Sequence, residues 1–236
     1  MSISGRFCRY TLRTTDVEAA RSFYRDLLGD RFWEDGIEVE PLPAPAAARG
    51  APSHWLGHLG VDDVMATLHR FVQSGATQLG PAPRPDDPHP AVILRDPFGA
   101  IVALTHAASG RRGTRVAWHL LSAQDEARAL ALYADLFGWT PVQALDLGPE
   151  RGRQVTFTWD GTGRPVGSTT NMARLPRVHP QWLFFFSTQH LEESLVRVRA
   201  LGGSALEPME TPEGDLVAPC EDAQGAAFAL FQTSGG

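Results

Sequence analysis

The sequence predicts an α+β fold made by internal duplication, and three observations carry that prediction. "DVEAARSFYRDLLGDRF", from Asp16, returns as "DEARALALYADLFGWTP" from Asp125, with Asp16/Asp125, Tyr24/Tyr133, Asp26/Asp135, Leu27/Leu136 and Gly29/Gly138 coinciding at one offset. "SHWLGHLGVDDVMATLHRFVQSGA" returns as "PQWLFFFSTQHLEESLVRVRALGG", matching Trp55/Trp182, Leu56/Leu183, Leu68/Leu195 and Gly75/Gly202. "RDPFGAIVAL", from Arg95, returns as "EDAQGAAFAL", from Glu221: an Asp, two residues, a Gly, then an alternating strand ending in Leu. The chain therefore reads as four strand–helix–strands segments, two in each half.

Each element has its own local reason. "RYTLRTTD" and "WLGHLGVDD" are short strands that run into Thr/Asp-rich helix caps. Val17, Ala20, Tyr24, Leu27 and Leu28 make one apolar stripe at helical spacing, and Val64, Leu68, Phe71 and Val72 make another. Gly29, Gly75, Gly138 and Gly202 stand where a helix ends. "GIEVEPLP", "AVILRD", "RQVTFTWDG", "GSTTNMARL" and "AAFALFQ" alternate as strands do. The small, Gly-rich, basic run "HAASGRRGTR" reads as a linker, so residues 1–107 and 115–236 are expected as two domains joined by 108–114.

Bulk composition narrows the function. The 236 residues are enough for two domains with real cores, and 43% hydrophobic with 20% charged residues is ordinary for a globular protein. A net charge of −6 argues against general nucleic-acid binding. Two cysteines, Cys8 and Cys220, are too few for a disulfide framework and fit a reducing compartment. "MSISGRFCRYTL" has no apolar signal-like core, and no stretch approaches the length of a membrane span, so a cytoplasmic protein without membrane partners is expected.

"TTDVEAARSFYRDLLG", "VDDVMATLHRFVQSGA" and "RDPFGAIVAL", in that order, resemble the vicinal oxygen chelate superfamily of glyoxalase I, bleomycin-resistance proteins and extradiol dioxygenases. "LYADLFGWTP", "HPQWLFFFS" and "EDAQGAAFALFQ" extend the resemblance to its two-domain glyoxalase-like members, over nearly the whole chain. The resemblance implies tandem βαβββ units forming two cup-shaped, mostly antiparallel sheets with helices outside and a pocket inside. It also implies a divalent metal held in the cup by His, Gln or Glu. Six of the corresponding places, three in each half, hold Arg9, Leu56, Ala103, Trp118, Leu183 and Ala229; the fourth ligand, on the last strand of the first unit, is not assigned a position. Leu, Ala and Trp offer no lone pair and Arg stays cationic, so no metal site and no cofactor are expected. A divalent metal enters only if the site has been relocated, for instance onto His119. The other histidines make no zinc pattern: His54 and His58 share a strand at the wrong spacing, and His89 sits in a Pro-rich loop. "GTGRPVG", Gly161 to Gly167, lacks the Gly-Lys-Ser/Thr of a phosphate loop and reads as a hairpin turn.

Strand alternation then assigns faces. Arg9, Thr11 and Arg13, with His58, Ile101 and Thr105, are expected to face the first cup, and Tyr10, Leu12 and Val102 the helices. Trp118, Leu120, Ser122, Leu183, Phe185, Ala227, Ala229 and Phe231 are expected to face the second. The first cup would be basic and polar, suited to a carboxylate or phosphate unless Arg9 merely pairs with Glu38 or Glu40. The second would be apolar and aromatic, suited to a planar or aliphatic ligand unless its rings simply fill the core. Candidate ligand-binding residues are Arg9, Thr11, Arg13, His58, Trp118, Leu120, Leu183, Phe185 and Phe231; no catalytic residue stands out. The expected function is metal-independent binding of a small molecule, for sequestration or sensing, by a monomer or homodimer. The alternative is a superfamily lyase, isomerase or extradiol-type dioxygenase with a relocated metal.

Overall fold

A computed structural model describes residues 4–34, 36–81, 90–107, 115–176 and 178–235. The expected linker, 108–114, and His89 lie outside the described residues. In chain order the elements are β1 (Arg6–Thr14), α1 (Val17–Leu28), β2 (Ile37–Pro41), α2 (Ala44–Ala47), β3 (His54–Val61), α3 (Val64–Gln73), β4 (Thr77–Leu79), β5 (Ala91–Arg95) and β6 (Ile101–His106). There follow β7 (Val116–Ser122), α4 (Glu126–Phe137), β8 (Thr140–Asp146), β9 (Arg153–Thr158), β10 (Gly167–Thr170), β11 (Gln181–Ser187) and α5 (Leu191–Ala200). The last four are β12 (Ser204–Ala205), β13 (Met209–Glu210), β14 (Leu216–Glu221) and β15 (Ala227–Gln232).

The strands make two mixed sheets, and one pattern recurs four times. The strand that precedes each principal helix lies parallel to a later strand of its own segment: β1 to β2, β3 to β6, β7 to β10, and β11 to β15. A parallel pair needs a crossover, and the helix supplies it. Antiparallel pairs are β4–β5–β6, β8–β9–β10, and β12 and β13 on β14, which runs against β15. The β9–β10 pair confirms "GTGRPVG" as the connection of a hairpin.

The helices begin and end for the reasons read from the sequence. Asp16, Asp63 and Asp125 accept from the backbone N–H of Ala19, Ala66 and Arg128 at 3.0, 2.9 and 3.0 Å, which satisfies donors that a helix N-terminus leaves open. His190, in the fourth position, makes no such bond, and Gln232 Oε1 accepts from Leu191 N–H instead at 2.6 Å. Along α1 the buried stripe is Ala20, Phe23, Tyr24 and Leu27; along α3 it is Val64, Leu68 and Phe71, while Val72 is exposed. Val72 follows Phe71 in the chain, about 100° around the helix, which carries it out of the stripe.

Close contacts divide the chain into two compact units that interleave the sequence. The terminal unit holds Arg9–Leu56, Arg112–Trp118 and Leu183–Gly236; the middle unit holds Met1–Cys8, Gly57–Arg111 and His119–Trp182. Each half of the duplicated sequence contributes to both.

The repeated Asp-x-x-Gly motif organises each unit. In the middle unit Asp96 Oδ1 accepts from the N–H groups of Phe98 and Ala100, both at 2.9 Å, and closes a tight turn around Gly99 at φ 102°. Its other oxygen accepts from Tyr133 Oη at 3.0 Å, and that hydroxyl accepts from Trp182 Nε1 at 3.2 Å. The terminal unit repeats the arrangement. Asp222 Oδ1 takes the N–H groups of Gln224 and Ala226, both at 2.9 Å, Tyr24 Oη donates to Oδ2 at 3.2 Å, and Trp55 Nε1 donates to Tyr24 Oη at 2.9 Å. These are the Tyr, Trp and Asp-x-x-Gly identities of the repeat. Each cluster ties a helix, a strand and a turn from distant parts of the chain in a buried place, where every polar atom needs a partner. Around them pack the aromatic cores: Tyr24 with Phe32, Trp55, Phe186 and Phe228, and Tyr133 with Phe71, Trp139 and Trp182.

Candidate functional site

In the terminal unit, β1 and β2 run side by side with Tyr10 opposite Ile37, Thr11 opposite Glu38, Leu12 opposite Val39 and Arg13 opposite Glu40. Alternation separates these residues into two faces. Tyr10, Leu12, Ile37 and Val39 are buried, and Tyr10 meets Phe184 edge-on at 5.0 Å. The other face carries Thr11 and Arg13 with Glu38 and Glu40, and Arg9 extends it by one step along the strand. Thr11 is buried; Arg9, Arg13, Glu38 and Glu40 are half-buried. The sequence expectation of a charged, polar face on β1 is what the strand register produces.

Arg13 is loosely paired on this face. Arg13 Nε lies 3.9 Å from Glu40 Oε2, at the edge of ion-pair range, and is itself buried with no hydrogen bond among the described residues. Burial lowers the Arg13 pKa, the Glu40 carboxylate works against that, and the positive charge of Arg9 adds to the lowering. His54 stands nearby. Its Nδ1–H donates to the Pro52 carbonyl at 2.8 Å, and burial above all, with the Arg13 charge, pushes its pKa down. An imidazole is neutral or cationic, so it offers Arg13 no negative charge.

The other expected site residues fall elsewhere. Leu183, Phe185 and Phe231 are buried in the terminal unit, where Phe185 pairs with Ala229 and Phe231 with Ser187 and Val217. Trp118 is half-buried in the same unit. His58 and Leu120 belong to the middle unit: His58 is buried opposite Ala103, and Leu120 is half-buried opposite Ser168. The site list thus splits into the charged face of β1, Leu183, Phe185 and Phe231 on β11 and β15, Trp118 on β7 in the same unit, and two residues of the middle unit.

A polar face in the middle unit was not read from the sequence. The register of β7, β10 and β9 aligns Leu120, Ser168 and Thr156 in one row and Ser122, Thr170 and Gln154 in the next. Gln154 Nε2 donates to Ser168 Oγ at 2.7 Å, and Thr156 accepts from Gln143 N–H at 3.2 Å. This face is polar, whereas Leu183, Phe185, Ala229 and Phe231 of β11 and β15 are apolar. The signal was present: Gln154, Thr156 and Thr158 alternate with Val155, Phe157 and Trp159.

His119 lies on the opposite face and is held firmly. Its Nδ1–H donates to the Val166 carbonyl at 2.8 Å, its ring stacks on Phe7 at 5.0 Å, and Trp159 meets it edge-on at 5.2 Å. Burial pushes its pKa down to about 4, so the imidazole is neutral. Among the described residues no group of three or more His, Cys, Asp or Glu side chains is placed to hold a metal ion. Among them, too, no helix is long and apolar enough to cross a membrane.

Comparison with known proteins agrees with this architecture. No family model matches the chain. A protein provisionally named glyoxylase CFP32, from Mycobacterium bovis and from Mycobacterium tuberculosis, is 26% identical over 94% of this chain and 92% of its own length. Among solved structures, the 2,3-dioxygenase LapB of Pseudomonas sp. KL28 superposes with a TM-score of 0.65 at 12% identity, covering 98% of this chain and 94% of its own. The Mn(II)-bound glyoxalase of Novosphingobium aromaticivorans gives 0.65 at 10% identity, covering 98% and 83%. The chain has the fold that glyoxalases and extradiol dioxygenases share, and its likeness to the vicinal oxygen chelate superfamily holds at that level.

Proposed function

We propose that the protein is a glyoxalase-fold binder of a small organic molecule that works without a metal, and that the charged face of β1 is part of its binding site. One observation carries the reading: six places where the resemblance puts metal ligands hold Arg9, Leu56, Ala103, Trp118, Leu183 and Ala229. None has a donor suited to a divalent ion. Leu56, Ala103, Leu183 and Ala229 are also buried, where a hydrated cation would be costly. The residues present do not fit the family's metal, and fold likeness alone does not transfer a reaction. Sequestering or sensing needs only a site of matching shape and charge.

A second reading, a metalloenzyme with a relocated site, draws support from the names of the relatives. His119 would be its natural first donor through Nε2, the nitrogen that carries the lone pair when Nδ1–H donates to Val166.

The deciding experiment is elemental analysis of untagged protein, before and after EDTA dialysis, followed by refilling with manganese, iron or zinc. The binder reading expects no stoichiometric transition metal and ligand binding indifferent to EDTA. A stoichiometric metal whose removal abolishes an activity that refilling restores would overturn it.

A further inference from the structure

We infer that Arg9 and Arg13 form an oxyanion-binding pair on the charged face of β1, taking a carboxylate or phosphate group of the protein's small-molecule ligand.

The two guanidinium groups project from one strand face, two strand steps apart, with the Thr11 side chain between them. A cation placed in partly buried surroundings needs compensation by ion pairing and by hydrogen bonds on each of its donors. Arg13 lacks both in full. Its Nε is buried with no hydrogen bond among the described residues, and Glu40, half-exposed, is the carboxylate within 4 Å of it, at 3.9 Å. His54 supplies no negative charge, and its own N–H is committed to Pro52. Arg9 makes matters worse electrostatically, since two like charges on one face repel.

An oxyanion beside Arg13 would supply the compensation that Glu40, at 3.9 Å, gives only weakly. The planar guanidinium fork matches the two oxygens of a carboxylate or phosphate, and the low local dielectric strengthens each charge-assisted bond. A purely structural role would place Glu40 in bidentate contact with Arg13, which the 3.9 Å separation does not provide.

The assignment rests on the reading of the protein as a ligand binder, and its test is independent of metal content. The full chain, dialysed against EDTA, is titrated calorimetrically with inorganic phosphate and, separately, with acetate, sodium chloride holding the ionic strength constant. Saturable binding of at least one anion is expected, and the tighter of the two identifies the group the site takes. R13Q is expected to weaken that binding about tenfold or more, the scale of one lost charge-assisted bond. R13K keeps the charge without the fork and is expected to weaken it severalfold; it carries the test if R13Q fails to fold. E40Q removes the competing carboxylate and is expected to tighten binding about threefold. No saturable binding of either anion overturns the inference. So does wild-type affinity in a folded R13Q or R13K, or unchanged affinity in E40Q. Metal found in the protein would sink the binder reading and leave the anion titration to be judged alone.

Discussion

The terminal and middle units contain the same buried device and different strand faces. Tyr24, Asp222 and Trp55 in one unit reproduce Tyr133, Asp96 and Trp182 in the other, down to which carboxylate oxygen caps the turn and which takes the tyrosine. The faces have drifted apart. β1 and β2 carry Arg9, Arg13, Glu38 and Glu40, whereas β7, β9 and β10 carry Ser122, Ser168, Thr170, Thr156 and Gln154. The face residues take no part in the Tyr–Asp–Trp hydrogen bonds, so each face can change its chemistry while the scaffold stands.

The largest expected effect breaks the shared device. Asp96→Ala leaves the Phe98 and Ala100 N–H groups and the Tyr133 hydroxyl without their acceptor. Each buried unsatisfied group costs about 1–3 kcal/mol, so a loss of about 4 kcal/mol in urea unfolding is expected. Asp222→Ala should cost a similar amount. If one substitution is severe and the other mild, the two clusters are not equivalent supports and the comparison fails.

A titrating group marks the next difference. At equivalent places in the repeat the terminal unit has Tyr10 and the middle unit His119. Burial lowers the His119 pKa to about 4 against 6.5 for the ordinary side chain. Between those values the unfolded chain binds a proton that the folded one refuses, so this contribution to stability is lost as pH falls from 6.5 to about 4. The shift corresponds to about 3 kcal/mol. The buried carboxyls of Asp96 and Asp222 have raised pKa values, chiefly from burial, and so act in the opposite sense: the folded state favours their protonated form, and stability falls as pH rises through their folded-state range. His119→Phe, compared with wild type by urea unfolding at pH 7 and pH 4.5, should show a distinctly smaller loss on acidification. An unchanged loss would place the acid sensitivity elsewhere.

The repeat made the fold legible because it marks residues whose partners are fixed by hydrogen bonds. Tyr24/Tyr133, Trp55/Trp182 and the Asp-x-x-Gly turns were visible as identities before their contacts were known. Alternation along β1 sets Tyr10 and Leu12, both buried, on the face opposite Arg9, Thr11 and Arg13. Two things stayed hidden. The interleaving of the units depends on contacts between segments far apart in the chain, such as Tyr24 with Asp222, which no local pattern encodes. The polar row Gln154, Thr156, Ser168 and Thr170 escaped because "GSTT" is polar at successive positions; only its register against β7 and β9 tells which hydroxyls share a face. Thr169, between them, turns the other way and donates to the Glu126 carbonyl at 3.0 Å.

A gentler change probes the two clusters without removing the turn acceptor. Tyr24→Phe and Tyr133→Phe keep the ring contacts but delete the hydroxyl that joins Asp to Trp, leaving the indole N–H of Trp55 or Trp182 unpaired. A cost of about 1–2 kcal/mol is expected for each. Because the device is common to both units, the two values should agree within about 0.5 kcal/mol; a larger gap would show that the surrounding aromatic packing, which differs between them, shares the load.

The smallest effect is expected on the face where the units differ most. Arg13→Met replaces a half-buried guanidinium, whose Nε has no hydrogen bond among the described residues and whose Glu40 partner stands at 3.9 Å, with a side chain that needs no compensation. Removing an under-compensated cation in favour of a flexible apolar chain should leave stability unchanged or raise it by about 1 kcal/mol, since the lost pairing with Glu40 is long and partly solvated. Asp96 would then be a residue the fold requires, and Arg13 one the fold tolerates at some cost, which is the pattern expected of a binding residue. A loss of about 2 kcal/mol or more in urea unfolding would reverse that conclusion and make Arg13 a structural partner of Glu40. The charged face of β1 would then be an ordinary part of the scaffold, as the Tyr–Asp–Trp clusters are.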